Sequence, residues 1–331
     1  MYGRYCASKR FRIFVVHVKR NKTIKKEIIK SKEGIMLIRT NVEKIGDPFV
    51  LNDGNAYYMY STDFDVTGFK VRRSYDLKNW ETLGVALDLS NSWAYQNFWA
   101  PEVIYHNGKY VMHYSARRKT DKSLRIGVAI AENPQGPFLD QGVMFDFGYA
   151  AIDGHVFIDD DGTPYFYYSR DCSENVVDGI HTSQIYVVKL NDDLTKVISE
   201  PIFLFGATEA FECKYHNPNW RWNEGPFMLK KDGKYYLTYS GNCYGTKEYC
   251  VCLALSNKPD GEFKKQGAIL TYEAVKEDFS GPGHNAFFKD NEGKLKMAFH
   301  IHTYPDKPSG NRKACICDAE IKENTIIFDL K

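Results

Sequence analysis

The chain has 331 residues, of which 26% are charged and 43% hydrophobic, with a formal net charge of +2. No apolar run approaches the ~18 residues of a membrane-spanning helix, and the apolar content is too high for a disordered chain. So small a net charge gives no general reason to expect a nucleic-acid partner.

Residues 1–35 hold eleven Lys/Arg and only Glu27 and Glu33, a local charge of +9 that leaves the remainder at −7. The apolar stretch Phe11–Val18 is interrupted by Arg12 and His17, and no small-residue cleavage pattern follows, so it does not read as a secretory signal. Regular patterning starts at Met36. The expected organisation is a basic leader over 1–35 that takes no part in the site, then one folded domain over 36–331. Eight cysteines include no C-x-x-C pair, and the two C-x-C pairs lie in alternating apolar segments. That spacing argues against zinc and suits reduced thiols in a cytoplasm.

One pattern then recurs five times: a few apolar residues, a polar-Gly turn, and an aromatic-rich alternating strand. The copies begin at Asp47 (DPFVLNDGNAYYMYST), Ala100 (APEVIYHNGKYVMHYSA), Asp153 (DGHVFIDDDGTPYFYYSR), Glu224 (EGPFMLKKDGKYYLTYSG) and His284 (HNAFFKDNEGKLKMAFHI). Their turn glycines are Gly54, Gly108, Gly162, Gly233 and Gly293. Such Asp-Gly and Asn-Gly steps between apolar runs are hairpin signals, because the turn needs positive φ. Further turns at 74–81, 131–138 and 256–263 add two strands to most units. About four antiparallel strands in each of five units predicts an all-β, five-bladed β-propeller. The longest interval contains an insertion, GATEAFECKYHNPNWRWN, between Gly206 and Asn223.

In a propeller the first strand of each blade starts near the axis, so the residues just before each copy's apolar stretch should converge. They are Asp47, Glu102, Asp153, Glu224 and His284. Charges there are costly unless paired or hydrated, and packing does not explain an acid or a His in all five. Two carboxylates across a funnel, with aromatics around, suggest glycoside hydrolysis. One protonates the leaving oxygen, the other takes a proton from water, and a third nearby keeps the first protonated.

The motifs IGDPFV at 45–50, FWAPEV at 98–103, IDGHVFIDDDG at 152–162, NEGPF at 223–227 and GPGHNAF at 281–287, with FHIH at 299–302 and Arg312, resemble glycoside hydrolase family 43. This resemblance covers about residues 40–331. It implies a five-bladed propeller enzyme acting on arabinose- or xylose-containing oligosaccharides. It also implies Asp47 as general base, Asp153 as pKa modulator and Glu224 as general acid. Trp99, Glu102, His284 and Arg312 are the expected substrate-side residues, with His284 near a bound metal, often Ca2+, at the propeller centre. The expected activity is an inverting exo-glycosidase releasing L-arabinofuranose or D-xylose. Endo-arabinanase, β-galactofuranosidase and a non-catalytic sugar-binding propeller are the alternatives, and neither a nucleic acid nor a membrane is an expected partner.

Overall fold

The computed structural model describes residues 37–275 and 279–330, so the leader expected over 1–35 lies outside the described residues. Strands β1 (Ile38–Asn52), β2 (Tyr57–Asp63), β3 (Gly68–Ser74) and β4 (Glu81–Asp88) form a first antiparallel meander. A second comprises β5 (Ala94–His106), β6 (Lys109–Arg118), β7 (Leu124–Ala131) and β8 (Leu139–Val143). The chain continues through β9 (Ala151–Ile158), β10 (Pro164–Arg170), two short strands β11 (Val176–Val177) and β12 (Ile180–Thr182), then β13 (Gln184–Lys189) and β14 (Ile202–Gly206). Here β9, β10, β13 and β14 make the third meander. After the short β15 (Trp220–Arg221), a fourth is built from β16 (Asn223–Lys231), β17 (Lys234–Gly241), β18 (Cys250–Ser256) and β19 (Lys264–Leu270). The last contains β20 (Gly283–Lys289), β21 (Leu295–His302), β22 (Arg312–Lys322) and β23 (Thr325–Asp329).

The glycines of the five first hairpins all adopt left-handed φ, between 74° and 88°, as the turns require. Strand β1 joins two meanders into one eight-stranded sheet. Its first half pairs with β22, Ile38 opposite Ile316, and its second half with β2, Val50 opposite Met59. The fifth meander is thereby hydrogen-bonded to the first.

Apolar clusters fill the spaces between successive meanders. Phe69, Met112 and Tyr114 join the first to the second, Val111, Phe166 and Val188 the second to the third, and Tyr167, Leu237 and Cys252 the third to the fourth. Leu253, Met297 and Phe299 join the fourth to the fifth, and Met59, Ala298 and Ile316 return from the fifth to the first. Each fully buried large side chain contributes roughly 1.5–3 kcal/mol. Cys250 and Cys252, and likewise Cys315 and Cys317, are buried on single strands, and the seven described cysteines are free thiols.

A candidate active site at five recurrent bulges

The first strand of every meander carries a bulge at an equivalent place against its second strand. The register shifts between Gly46 and Phe49, Trp99 and Glu102, Ile152 and His155, Glu224 and Phe227, and Gly283 and Ala286. In each, the second bulge residue takes a left-handed φ: Asp47 at 52°, Ala100 at 46°, Asp153 at 59°, Gly225 at 57° and His284 at 48°. Non-glycine residues rarely adopt this region, and such strain concentrates at functional sites.

A side chain from the preceding meander's second strand braces each bulge. Thr62 Oγ1 accepts the Ala100 N–H at 2.9 Å, Ser115 Oγ the Asp153 N–H at 2.9 Å, and Ser240 Oγ the His284 N–H at 2.7 Å. Ser169 Oγ donates to the Asn223 carbonyl at 2.6 Å, and His300 Nδ1 accepts the Asp47 N–H at 3.2 Å. These five bracing residues hold equivalent register positions, opposite Gly46, Trp99, Ile152, Glu224 and Gly283.

This geometry corrects the expectation that the five predicted residues are equivalent. Asp47, Asp153 and His284 sit on the left-handed bulge residue, Glu224 stands one residue before it, and Glu102 stands two after it. Glu102 is half-buried and pairs with His155 Nδ1 at 2.8 Å. Aligning Pro48 with Pro101, instead of acid with acid, would have separated it from the others.

Asp47 is 8% exposed and ringed by donors. Its Oδ1 lies 2.9 Å from Arg312 Nη1 and 3.3 Å from His284 Nδ1, and its Oδ2 accepts the Thr62 hydroxyl at 2.5 Å. Burial alone would raise its pKa. The Arg312 guanidinium, with the two histidines and Thr62, overcomes burial and holds the carboxyl well below the usual range. Burial pushes His284 and His300 downward, with Arg312 adding to the effect, so both rings are neutral at pH 7.

Glu224, also 8% exposed, accepts the hydroxyl of fully buried Tyr249 at 2.8 Å. Burial, with the charges of Asp47 and Asp171 in support and Tyr249 opposing, pushes its pKa up to about 8. Asp153 Oδ2 accepts the Gly225 N–H at 3.0 Å, one residue along from that acid. Burial, then the charges of Glu224 and Asp47, drive Asp153 well above its ordinary value. The Asp153–Glu224 pair therefore retains a proton at neutral pH beside an ionised Asp47. Carboxyls pushed apart in this way are equipped for paired acid and base work.

Arg312 is held from two sides. Its Cζ lies 4.8 Å from the centre of the half-exposed Tyr244 ring, and a Cβ on Gly46 would stand 2.1 Å from its Nη2. Trp99 is half-buried against Leu124, Ala150 and Ile152, and its register partner is Ser115. Thr62, Tyr249 and Asp171 were missed from sequence, and His300 was quoted only within FHIH. The recurring Ser or Thr after the Tyr-rich strands (YST, YSA, YSR, YSG) was the signal for the braces. Tyr249 and Asp171 had none.

Calcium takes six to eight oxygen ligands. His284 Nδ1 is directed at Asp47, leaving one ring nitrogen, and among the described residues no group of three or more His, Cys, Asp or Glu could hold a metal. This donor set does not fit a protein-built calcium cage, and no chemical step below is routed through one.

An ionised carboxylate in one buried cluster with a carboxyl pair that retains a proton is the arrangement that paired acid and base chemistry requires. Residues 42–327 match the model of the glycosyl hydrolases family 43, and the chain belongs to that family of glycoside hydrolases. A crystal structure of a thermostable family-43 glycoside hydrolase is similar with a TM-score of 0.83 and 40% identity, over 88% of this chain and 95% of that one. A xylosidase/arabinosidase of Bacteroides ovatus is 28% identical over 68% of this chain and 69% of its own length. Xylosidase/arabinosidase 43A of Humicola insolens is 30% identical over 56% of this chain, which spans 63% of that relative.

Proposed function

We propose that residues 36–331 form a five-bladed β-propeller catalytic domain, an inverting exo-glycosidase that releases L-arabinofuranosyl or D-xylosyl residues from oligosaccharides. The observation carrying the chemistry is the opposed protonation of Asp47 and the Asp153–Glu224 pair. The propeller reading is supported by five equivalent bulges, five braces and apolar clusters that return from the last meander to the first. The pentose reading is supported by the names of the two curated relatives.

In this mechanism Glu224 donates its proton to the glycosidic oxygen as the bond to the anomeric carbon breaks. Asp47 removes a proton from a water that attacks that carbon from the opposite face. Arg312 and Thr62 fix the Asp47 carboxylate, and His284 completes its surroundings. Asp153 keeps the proton on the pair through charge repulsion and, through the Gly225 N–H, holds the backbone of the acid in place. Free thiols throughout the described residues support a reducing, cytoplasmic setting.

A panel of p-nitrophenyl glycosides, led by the α-L-arabinofuranoside and the β-D-xyloside, tests the substrate class. Activity on at least one is expected, and inactivity on both with turnover of a β-galactofuranoside would replace it. Product analysis on end-labelled oligosaccharides should show single sugars only; internal cuts would point to the endo-acting alternative.

A further inference from the structure

Two segments outside the four-stranded meanders are zipped together. One, between β10 and β13, carries the β11–β12 hairpin; the other, between β14 and β16, ends in β15. Strands β12 and β15 pair in parallel, His181 opposite Trp220 and Thr182 opposite Arg221. The His181 N–H donates to the Asn219 carbonyl at 2.9 Å, and the Ser183 N–H to that of Arg221 at 3.0 Å. The second segment is anchored by Glu212, only 1% exposed, which takes Lys265 Nζ at 2.7 Å, Tyr239 Oη at 2.6 Å and Asn223 Nδ2 at 3.2 Å. A buried charge with several partners is a costly fixture for a mere connection.

What this fixture holds is an aromatic ladder. The His181 ring stacks on Trp220 at 4.0 Å and 2°, Trp220 on Trp222 at 6.0 Å and 22°, and Trp222 meets Tyr215 edge-on at 4.8 Å and 84°. From Trp220 into β16 the chain runs strand-like, so alternation places Trp220, Trp222 and Glu224 on one face. Asn223 points the other way, to Glu212. Two strand residues advance about 6.6 Å. Trp222 therefore stands roughly one sugar ring from Glu224 along its strand, and both indoles remain half-buried.

We propose that Trp222, backed by Trp220 and His181, is the stacking platform for the first sugar of the leaving group, making it the residue that selects oligosaccharides over simple glycosides. The inference rests on the reading of Glu224 as the acid. The acid protonates the leaving oxygen, so an aromatic on its strand face is placed on the leaving-group side of the bond. Binding energy from that sugar then assists the chemical step as well as binding.

The test compares kcat/KM for a trisaccharide of the preferred pentose with that for the matching glycosyl fluoride, whose leaving group has no ring to stack. Trp222→Ala should lower the trisaccharide-to-fluoride ratio roughly 10-fold, the scale of an aromatic contact, and Trp222→Phe should recover most of it. An unmoved ratio in an active Trp222→Ala protein, whether both rates fall together or neither does, overturns the platform and leaves the glycosidase reading standing. A wild type that hydrolyses neither compound overturns both.

Discussion

At the residue scale, the site depends on environments that separate the pKa values of like side chains. Asp47 is buried among donors and stays ionised; Glu224 is equally buried, has one hydroxyl partner, and stays protonated. Glu224→Gln should reduce hydrolysis of unactivated oligosaccharides by ~10³-fold or more, and that of aryl glycosides with good leaving groups far less. Equal losses on both would remove Glu224 from the acid role. Asp153→Asn removes one carboxyl of the coupled pair, and with it the like-charge repulsion that makes the pair's last proton hard to lose, so the alkaline limb of kcat/KM should move to lower pH. An unshifted limb with a lowered Tm would make Asp153 structural. These three carboxyls were legible because each opens a repeated motif. Tyr249, which donates to Glu224, was not, since a lone Tyr among 23 carries no mark in sequence.

At the element scale, the working unit is the bulge with its brace. The repeats were readable from alternating aromatics and turn glycines, and the further turns at 74–81, 131–138 and 256–263 lie between the third and fourth strands of their meanders. The bulges were not, because an inserted residue changes register without changing composition. That is why Glu102 was grouped with Asp47 although it lies two residues beyond the bulge residue. The longest insertion was found, but its pairing with the 171–183 segment was hidden, since β12 and β15 are only three and two residues long. Gly46 tests the bulge directly. Its backbone is not left-handed, and the atoms nearest a Cβ there would be the tip of Arg312. Gly46→Ala should therefore displace the guanidinium from Asp47 and lower Tm, because a buried ion pair is broken. Without that partner the Asp47 pKa rises, so the acidic limb of kcat/KM should move to higher pH and activity should fall by roughly 10²-fold. A large drop in Tm with an unmoved limb would assign Gly46 to packing alone.

At the scale of the whole molecule, the ring of clusters and the shared β1 tie buried site charges to global stability. An unfolded Glu titrates near ~4.3, whereas folded Glu224 holds its proton up to about 8. Between these values the unfolded chain binds fewer protons, so stability falls as pH rises through that window. Glu224→Gln lacks this loss, and its Tm should exceed that of the wild type by an amount that grows from pH 5 to pH 8 and then levels. A constant difference would place the proton elsewhere. Asp47 acts with the opposite sign, its contribution being lost as pH falls below the ordinary carboxylate range. Because β1 already closes onto β22 from Ile38, deletion of residues 1–35 should leave Tm and kcat nearly unchanged.

The anomeric configuration of the first-formed sugar, followed by proton NMR on a trisaccharide of the preferred pentose, tests the central assignment most directly. An Asp47 that activates water gives the inverted anomer from the first scan onward. A retained anomer, or a glycosyl adduct on Asp47, would contradict it.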